Sequence, residues 1–325
     1  MTTPLDSIGS PLLWGGFVLF VLGLLGLDLG VFHRKAHAVS TREAAIWSGV
    51  WVGLALLFNA GVYWVFGAER ALEFSAGYLI EKALSIDNIF VFVVIFGAFA
   101  IPRESQHRVL FWGVLGALVL RAVVIVAGGA LIARFHWVLY LFGGLLLLAG
   151  LKLLWRKEAE AHPERNPILR AFRRWVPVAE GAFAPDRFFV RRAGRRLATP
   201  LLLALVAVEV TDLVFAVDSI PAVFAVTTDP FIVFSSNVFA ILGLRSMYFL
   251  LAAVISRFAY LKIGLALVLV FVGAKMLLAG VYAVPIVVSL GVIVFILGAS
   301  IVVSLLATRR FGVRERDPRA ARVRS

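Results

Sequence analysis

"LLLALVAVEVTDLVFAVDSIPAVFAV", residues 201–226, is apolar over the length of a membrane span, yet it carries Glu209, Asp212 and Asp218. A helix needs about 20 apolar residues to cross hydrocarbon, and a carboxylate at mid-depth costs roughly 2.5–3.5 kcal/mol on insertion scales. Three acids in one span therefore demand compensation by bases, by a cation or by water.

The rest of the chain has the same character. Of 325 residues, 62% are hydrophobic, which is more than a soluble surface tolerates. Apolar runs at about 11–32, 44–66, 71–97, 109–132, 137–154, 200–225, 231–255, 261–281 and 284–307 predict an all-α polytopic membrane protein of about nine transmembrane helices. The connections give the orientation, because Lys and Arg stay on the cytoplasmic side. With the N-terminus outside, the inner connections hold 25 Lys and Arg, and the outer ones hold only Arg70 and Arg134. The net charge of +13 is then topological and implies no nucleic acid; its partner is anionic lipid at the cytoplasmic face. The expected location is a bacterial cytoplasmic membrane, with the C-terminus inside. Ala36-His37-Ala38 resembles a cleavage site, but His33-Arg34-Lys35 intervenes and nothing basic precedes the first run, so that run is expected to stay as a helix.

The polar, basic connection 155–199 divides the runs into five and four, and the halves look related. "EKALSIDNIFVF", residues 81–92, aligns with "DLVFAVDSIPAV", residues 212–223, so that Glu81 meets Asp212, Asp87 meets Asp218 and Asn88 meets Ser219. "LGALVLR" ending at Arg121 resembles "LGLR" ending at Arg245, and the segment ending at Lys152 resembles the one ending at Lys275. A first three-helix unit, about 71–154, would repeat as 200–281 with inverted topology, leaving 11–32, 44–66 and 284–307 as extra helices within a single transmembrane domain. Inverted repeats of this kind place transporter sites near mid-membrane.

Within the spans the acids are Asp28, Glu81, Asp87, Glu209, Asp212 and Asp218, and the bases are Lys82, Arg121, Arg245 and Lys275. The acids exceed the bases by the charge of one divalent cation. On a regular helix Glu209 and Asp212 lie about 60° apart, whereas Asp212 and Asp218 lie about 120° apart. Pro221 offers a break before which Asp218 would turn toward Asp87 of the third helix, with Asn88 and freed carbonyls nearby. Cysteine is absent, and all five histidines fall in connections or at helix ends. A site here is almost entirely oxygen, which suits Mn²⁺, Mg²⁺ or Ca²⁺ over Cu⁺ or Zn²⁺. Asp28, Lys82, Arg121, Arg245 and Lys275 are candidates for charge pairing or coupling. No Walker A sequence, HExxH or GxSxG occurs, so neither ATP-driven transport nor hydrolysis is expected. An enzyme is not the reading, and no permanently bound cofactor is expected.

"EKALSIDNIFVF" and "EVTDLVFAVDSIPAVFAVTTDPFIVFSSNVFAILGLRSMYF", residues 209–249, resemble the TerC family of integral membrane proteins, named for tellurium resistance. The resemblance runs from the first helix to "GAKM" at 273–276. It implies a metal-ion transporter related to the lysine-exporter group, with members associated with manganese efflux and others with tellurite resistance. The family's acids fall here on Glu81, Asp87, Glu209, Asp212 and Asp218. The expected function is export of Mn²⁺ or a similar divalent cation, with Asp87, Asp212 and Asp218 as ligands, Asn88 completing the shell and Glu81 or Glu209 carrying protons. The alternatives are a membrane scaffold in a stress-resistance complex, in which the acids only lock helices, and an oxyanion transporter.

Overall fold

Helices occupy the apolar runs because a backbone surrounded by hydrocarbon must satisfy its own hydrogen bonds. The computed structural model describes residues 7–32, 40–135, 137–155, 187–192, 195–252, 261–282 and 284–311. The helices are α1 (Pro11–Phe32), α2 (Thr41–Phe66), α3 (Ala68–Ala98), α4 (Arg103–Arg134), α5 (Val138–Trp155), α6 (Pro200–Phe224), α7 (Pro230–Leu242), α8 (Leu244–Ala252), α9 (Leu261–Leu278) and α10 (Ile286–Phe311). Between α5 and α6 lies a two-stranded antiparallel hairpin, β1 (Phe189–Arg192) and β2 (Arg195–Ala198), with Phe189 opposite Ala198 and Arg191 opposite Arg196.

Local signals set the boundaries. Ser40 Oγ caps α2 by accepting from Glu43 N, and Asp229 caps α7 by accepting from Phe231 N and Ile232 N. Pro200 and Pro230 occupy first helical positions, where a missing N–H costs nothing. Between α2 and α3 stands one residue, Gly67, at φ 92, a conformation glycine adopts without a Cβ penalty.

The expected break at Pro221 is not present: α6 runs unbroken from Pro200 to Phe224 with Pro221 inside it. Pro221 lies in the last turn, so the helix gives up only the bond that the Val217 carbonyl would have accepted. The break falls instead in the seventh run, at Gly243, where α7 and α8 bend by 43°. Among the described residues, five helices are long and apolar enough to cross a membrane alone, or six if α7 and α8 are one span. The expected nine exceed this count for physical reasons. At 31 residues, α3 is about 46 Å long, but Glu81, Lys82 and Asp87 interrupt its middle. The described apolar stretches of α1 and α9 are shorter than a full span.

Large apolar side chains such as Leu19 (71% exposed), Trp64 (85%) and Phe295 (75%) cover the outside. A surface this apolar belongs in lipid. Inside, one cluster joins Phe17, Phe58, Phe74, Phe231 and Phe239 from α1, α2, α3 and α7. A second joins α3, α4, α5, α6, α9 and α10 around Ile80, Ile125, Leu146, Val223, Val268 and Ile293.

Glycines set the closest approaches. α5 and α9 meet along Gly143, Gly150 and Gly273. A Cβ at Gly273 would stand 2.6 Å from Leu147 N and 2.8 Å from Gly143 O. α3 approaches α7 at Gly77, where a Cβ would stand 2.7 Å from Ser236 Oγ. α3 packs on α6 and α7, α4 on α6 and α7, and α5 on α9.

Backbone atoms cannot retreat as a flexible side chain can. Gly273→Ala is therefore expected to destabilise the protein by about 1–3 kcal/mol and to lower the thermal midpoint in detergent. Gly15→Ala, where nothing stands within 4 Å, serves as the unaffected control.

Candidate functional site: a buried ionic network on four helices

Glu81 and Asn88 lie seven residues apart on α3, as do Asp212 and Ser219 on α6. Seven residues are nearly two whole turns, so each pair shares a face. Both faces turn toward Arg121 of α4, which is only 1% exposed. Arg121 Nη2 donates to Asp212 Oδ1 at 2.9 Å, and Nε donates to Asp212 Oδ2 at 3.2 Å. This is the two-pronged geometry that suits guanidinium and carboxylate. Nη1 donates to Glu81 Oε1 and lies 3.4 Å from Asn237 Oδ1 and 3.5 Å from Ser219 Oγ. Asn237 of α7 returns Nδ2 to Glu81 Oε2 at 3.0 Å, and Asn88 Nδ2 donates to Asp212 Oδ1 at 3.4 Å.

One guanidinium thus serves two carboxylates, and the pairs leave a net negative charge. Among the described residues, two oxygens nearby have no protein donor. Glu209 sits one turn before Asp212, with its carboxylate pressed so closely on Gly116 of α4 that a Cβ there would overlap it. Its Oε2 is buried and accepts no hydrogen bond, and the same holds for Asn88 Oδ1. Thr211, by contrast, is satisfied by its own helix, donating to Ala207 O at 2.7 Å.

The other expected site residues divide as follows. Lys82 leaves the acid network and donates Nζ to Ala240 O at 2.9 Å. Arg245 is buried in the first turn of α8. Lys275 lines a cavity of about 260 Å³ with Glu73, Phe224, Thr227, Thr228 and Met276. Asp28, Asp87 and Asp218 are placed on α1, α3 and α6, but their side chains lie outside the described residues. Among the described residues, no three His, Asp or Glu side chains cluster as a metal site would.

Over residues 66–311 the sequence matches the integral membrane protein TerC family. The chain belongs to the TerC family. Relatives match this TerC protein along nearly its whole length. A membrane protein designated STKORF319 from Myxococcus xanthus is 58% identical over 311 residues, 96% of this chain and 97% of the relative. Two relatives that carry the name membrane-bound redox modulator Alx are 50% identical (Salmonella typhi) and 48% identical (Escherichia coli K12), each match covering 92% of this chain and 96% of the relative. No solved structure matches.

This TerC protein also has a polar cluster that sequence reasoning missed, at the end of the bundle holding the α6–α7 connection. Buried Asp229 caps α7 and accepts from Ser7 Oγ at 3.0 Å and from Ile8 N at 2.8 Å. Glu73 Oε2 accepts from Arg70 at 2.9 Å and from Thr227 Oγ1 at 2.8 Å. Thr227 Oγ1 in turn accepts from Asp229 N at 3.2 Å. "DP" at 229–230, an N-cap followed by a first-position proline, was the available signal. At the opposite end β2 packs on α6, and the ring of Phe188, just before β1, lies 5.4 Å from the Arg108 guanidinium of α4.

Removing one partner of a buried ion pair strands the other at about 3–5 kcal/mol. Arg121→Met is expected to lose that much in thermal or denaturant unfolding. Adding Asp212→Asn to it is expected to restore part of the loss, because one stranded charge is removed. A double mutant as unstable as the sum of the two singles would show that the pair is not coupled.

Proposed function

We propose that this TerC protein is a secondary transporter that exports a hard divalent cation, Mn²⁺ foremost, from the cytoplasm. The observation that carries the reading is the surplus of buried carboxylate oxygen around Arg121. Glu81 and Asp212 share one guanidinium, while Glu209 Oε2 and Asn88 Oδ1 have no partner among the described residues. Oxygen donors facing no protein hydrogen, in a net negative setting, suit a hard cation. In this reading Asp87 and Asp218, adjacent in sequence to Asn88 and Ser219, join Asp212 and Asn88 as ligands. The Val217 carbonyl freed by Pro221 is a further oxygen. Glu209 carries protons in exchange, and Glu81 balances Arg121. The two related halves form an inverted repeat: exchanging α3 with α6 and α4 with α7 turns the α3–α7 packing into α6–α4, and both packings are present. The N-terminus is outside and the hairpin end cytoplasmic, which places the basic connection against anionic lipid.

A redox role, as the Alx relatives' name has it, cannot run through thiols of this chain, since it has no cysteine. Control of a metal-ion pool is the route by which such an exporter would influence cellular redox chemistry. A second reading, a scaffold in a tellurite or metal stress-resistance complex, is favoured by the Arg121 network itself, which fastens four helices. Oxyanion transport fits less well, because the Arg121 guanidinium is already engaged by two carboxylates.

Manganese content of Mn-loaded cells separates the readings. Wild type is expected to lower it relative to vector. Glu209→Gln, Asp87→Asn and Asp218→Asn, at matched expression, are expected to abolish most of that effect. Equal retention in wild type and vector would sink the exporter. Full export by all three variants would remove these acids from the path.

A further inference from the structure

Lys82 carries a charge that the Arg121 network does not use. It follows Glu81 on α3, about 100° further round the helix, and so faces another neighbour. Its Nζ donates to the Ala240 carbonyl at 2.9 Å. Ala240 lies in the last turn of α7, just before the 43° bend at Gly243. The last carbonyls of a helix have no intrahelical amide one turn ahead, and at the bend the Gly243 N–H turns back to Ile241 O, so the Ala240 carbonyl is open to a donor from outside the helix. A Cβ at Gly243 would stand 2.7 Å from Nζ and 3.2 Å from the Trp51 Cβ. The Tyr78 ring centroid lies 5.7 Å from the ammonium. Among the described residues no carboxylate forms an ion pair with Lys82. The partners of this cation are thus a carbonyl, an aromatic face and a helix end.

That setting has a known physical counterpart. In transporters with interrupted helices, the carbonyl ends of half-helices hold monovalent coupling cations. We propose that the C-terminal end of α7 is a monovalent-cation site whose resident occupant is the chain's own Lys82 ammonium. The bend between α7 and α8 then depends on a tethered positive charge instead of dissolved Na⁺ or K⁺. The residue at 243 must be glycine for the charge to reach its carbonyl. Lys82 is a positioning residue: it fixes α7, and through Asn237 it fixes one side of the acid network. The inference deepens the transporter reading and rests on it only where transport is measured.

Two variants test it. Lys82→Ala empties the site of the three carbons and the ammonium that propylammonium would supply, whereas Lys82→Met keeps the volume filled without charge. Thermal unfolding of purified full-length protein is followed in propylammonium, Na⁺ or K⁺ chloride, with choline chloride as the ionic-strength control. Both variants are expected to melt below wild type. Propylammonium or an alkali cation is expected to return Lys82→Ala most of the way to the wild-type midpoint, leaving wild type and Lys82→Met unmoved. Lys82→Met melting like wild type would overturn the proposal. So would a Lys82→Ala protein that responds equally to choline, or that responds to none of the cations or fails to fold in all of them. Mn²⁺ flux in vesicles adds an independent arm, with the same cation expected to restore export to Lys82→Ala. Cation-restored stability alongside a wild type that moves no Mn²⁺ would refute the transporter and leave the cation site standing.

Discussion

A guanidinium in the middle of a helical bundle is the constraint on which the other contacts depend. Arg121 cannot reach water from where α4 holds it. It therefore draws Asp212 of α6 and Glu81 of α3 to itself and leans on Asn237 of α7. Meeting that one requirement fixes the rotation of α3, α4 and α6 and the depth of α7. The pairing is incomplete in charge, because two carboxylates face one cation with Glu209 close behind. The site is thus both the fastening of the bundle and its most electronegative point.

Packing makes such a network possible. Gly77 and Ser236 allow α3 to approach α7 closely enough for Asn237 to reach Glu81, and Gly116 leaves the space that the Glu209 carboxylate fills. The peripheral helices behave differently. α5 and α9 touch backbone to backbone along Gly143, Gly150 and Gly273, so no layer of side chains lies between them to rearrange. The α7–α8 bend at Gly243, by contrast, is where a helix is already interrupted.

Much of this was legible in the sequence, and the remainder was not, for a physical reason. Apolar runs near span length forced helices, and their described bounds agree to within four residues except at the start of α4, which begins six residues before the apolar run. The acids and Arg121 stood out because charge in an apolar run is costly. Which acid Arg121 would take was not legible, because helix rotation and pairing are tertiary properties and uniformly apolar helices give little periodicity to orient them. The expectation at Pro221 failed because a proline in a helix's last turn has little left to break, whereas Gly243, with no proline beside it, marked the bend. Lys82 eluded pairing arguments because its partner is a backbone carbonyl, which no residue name announces. Asp229 was overlooked as a loop acid although Pro230 followed it.

Asp229 has one more consequence. The same carboxylate closes the first turn of α7 and grips Ser7 and Ile8, so the head of the chain and the helix that carries Asn237 are mechanically in series. A force or a bulky fusion applied just upstream of Ser7 would be felt at the cap of α7 before it is felt by α1. Ser7 and Ile8 are a handle on the core of the bundle, and a label or tether placed beside them is a choice to disturb that core.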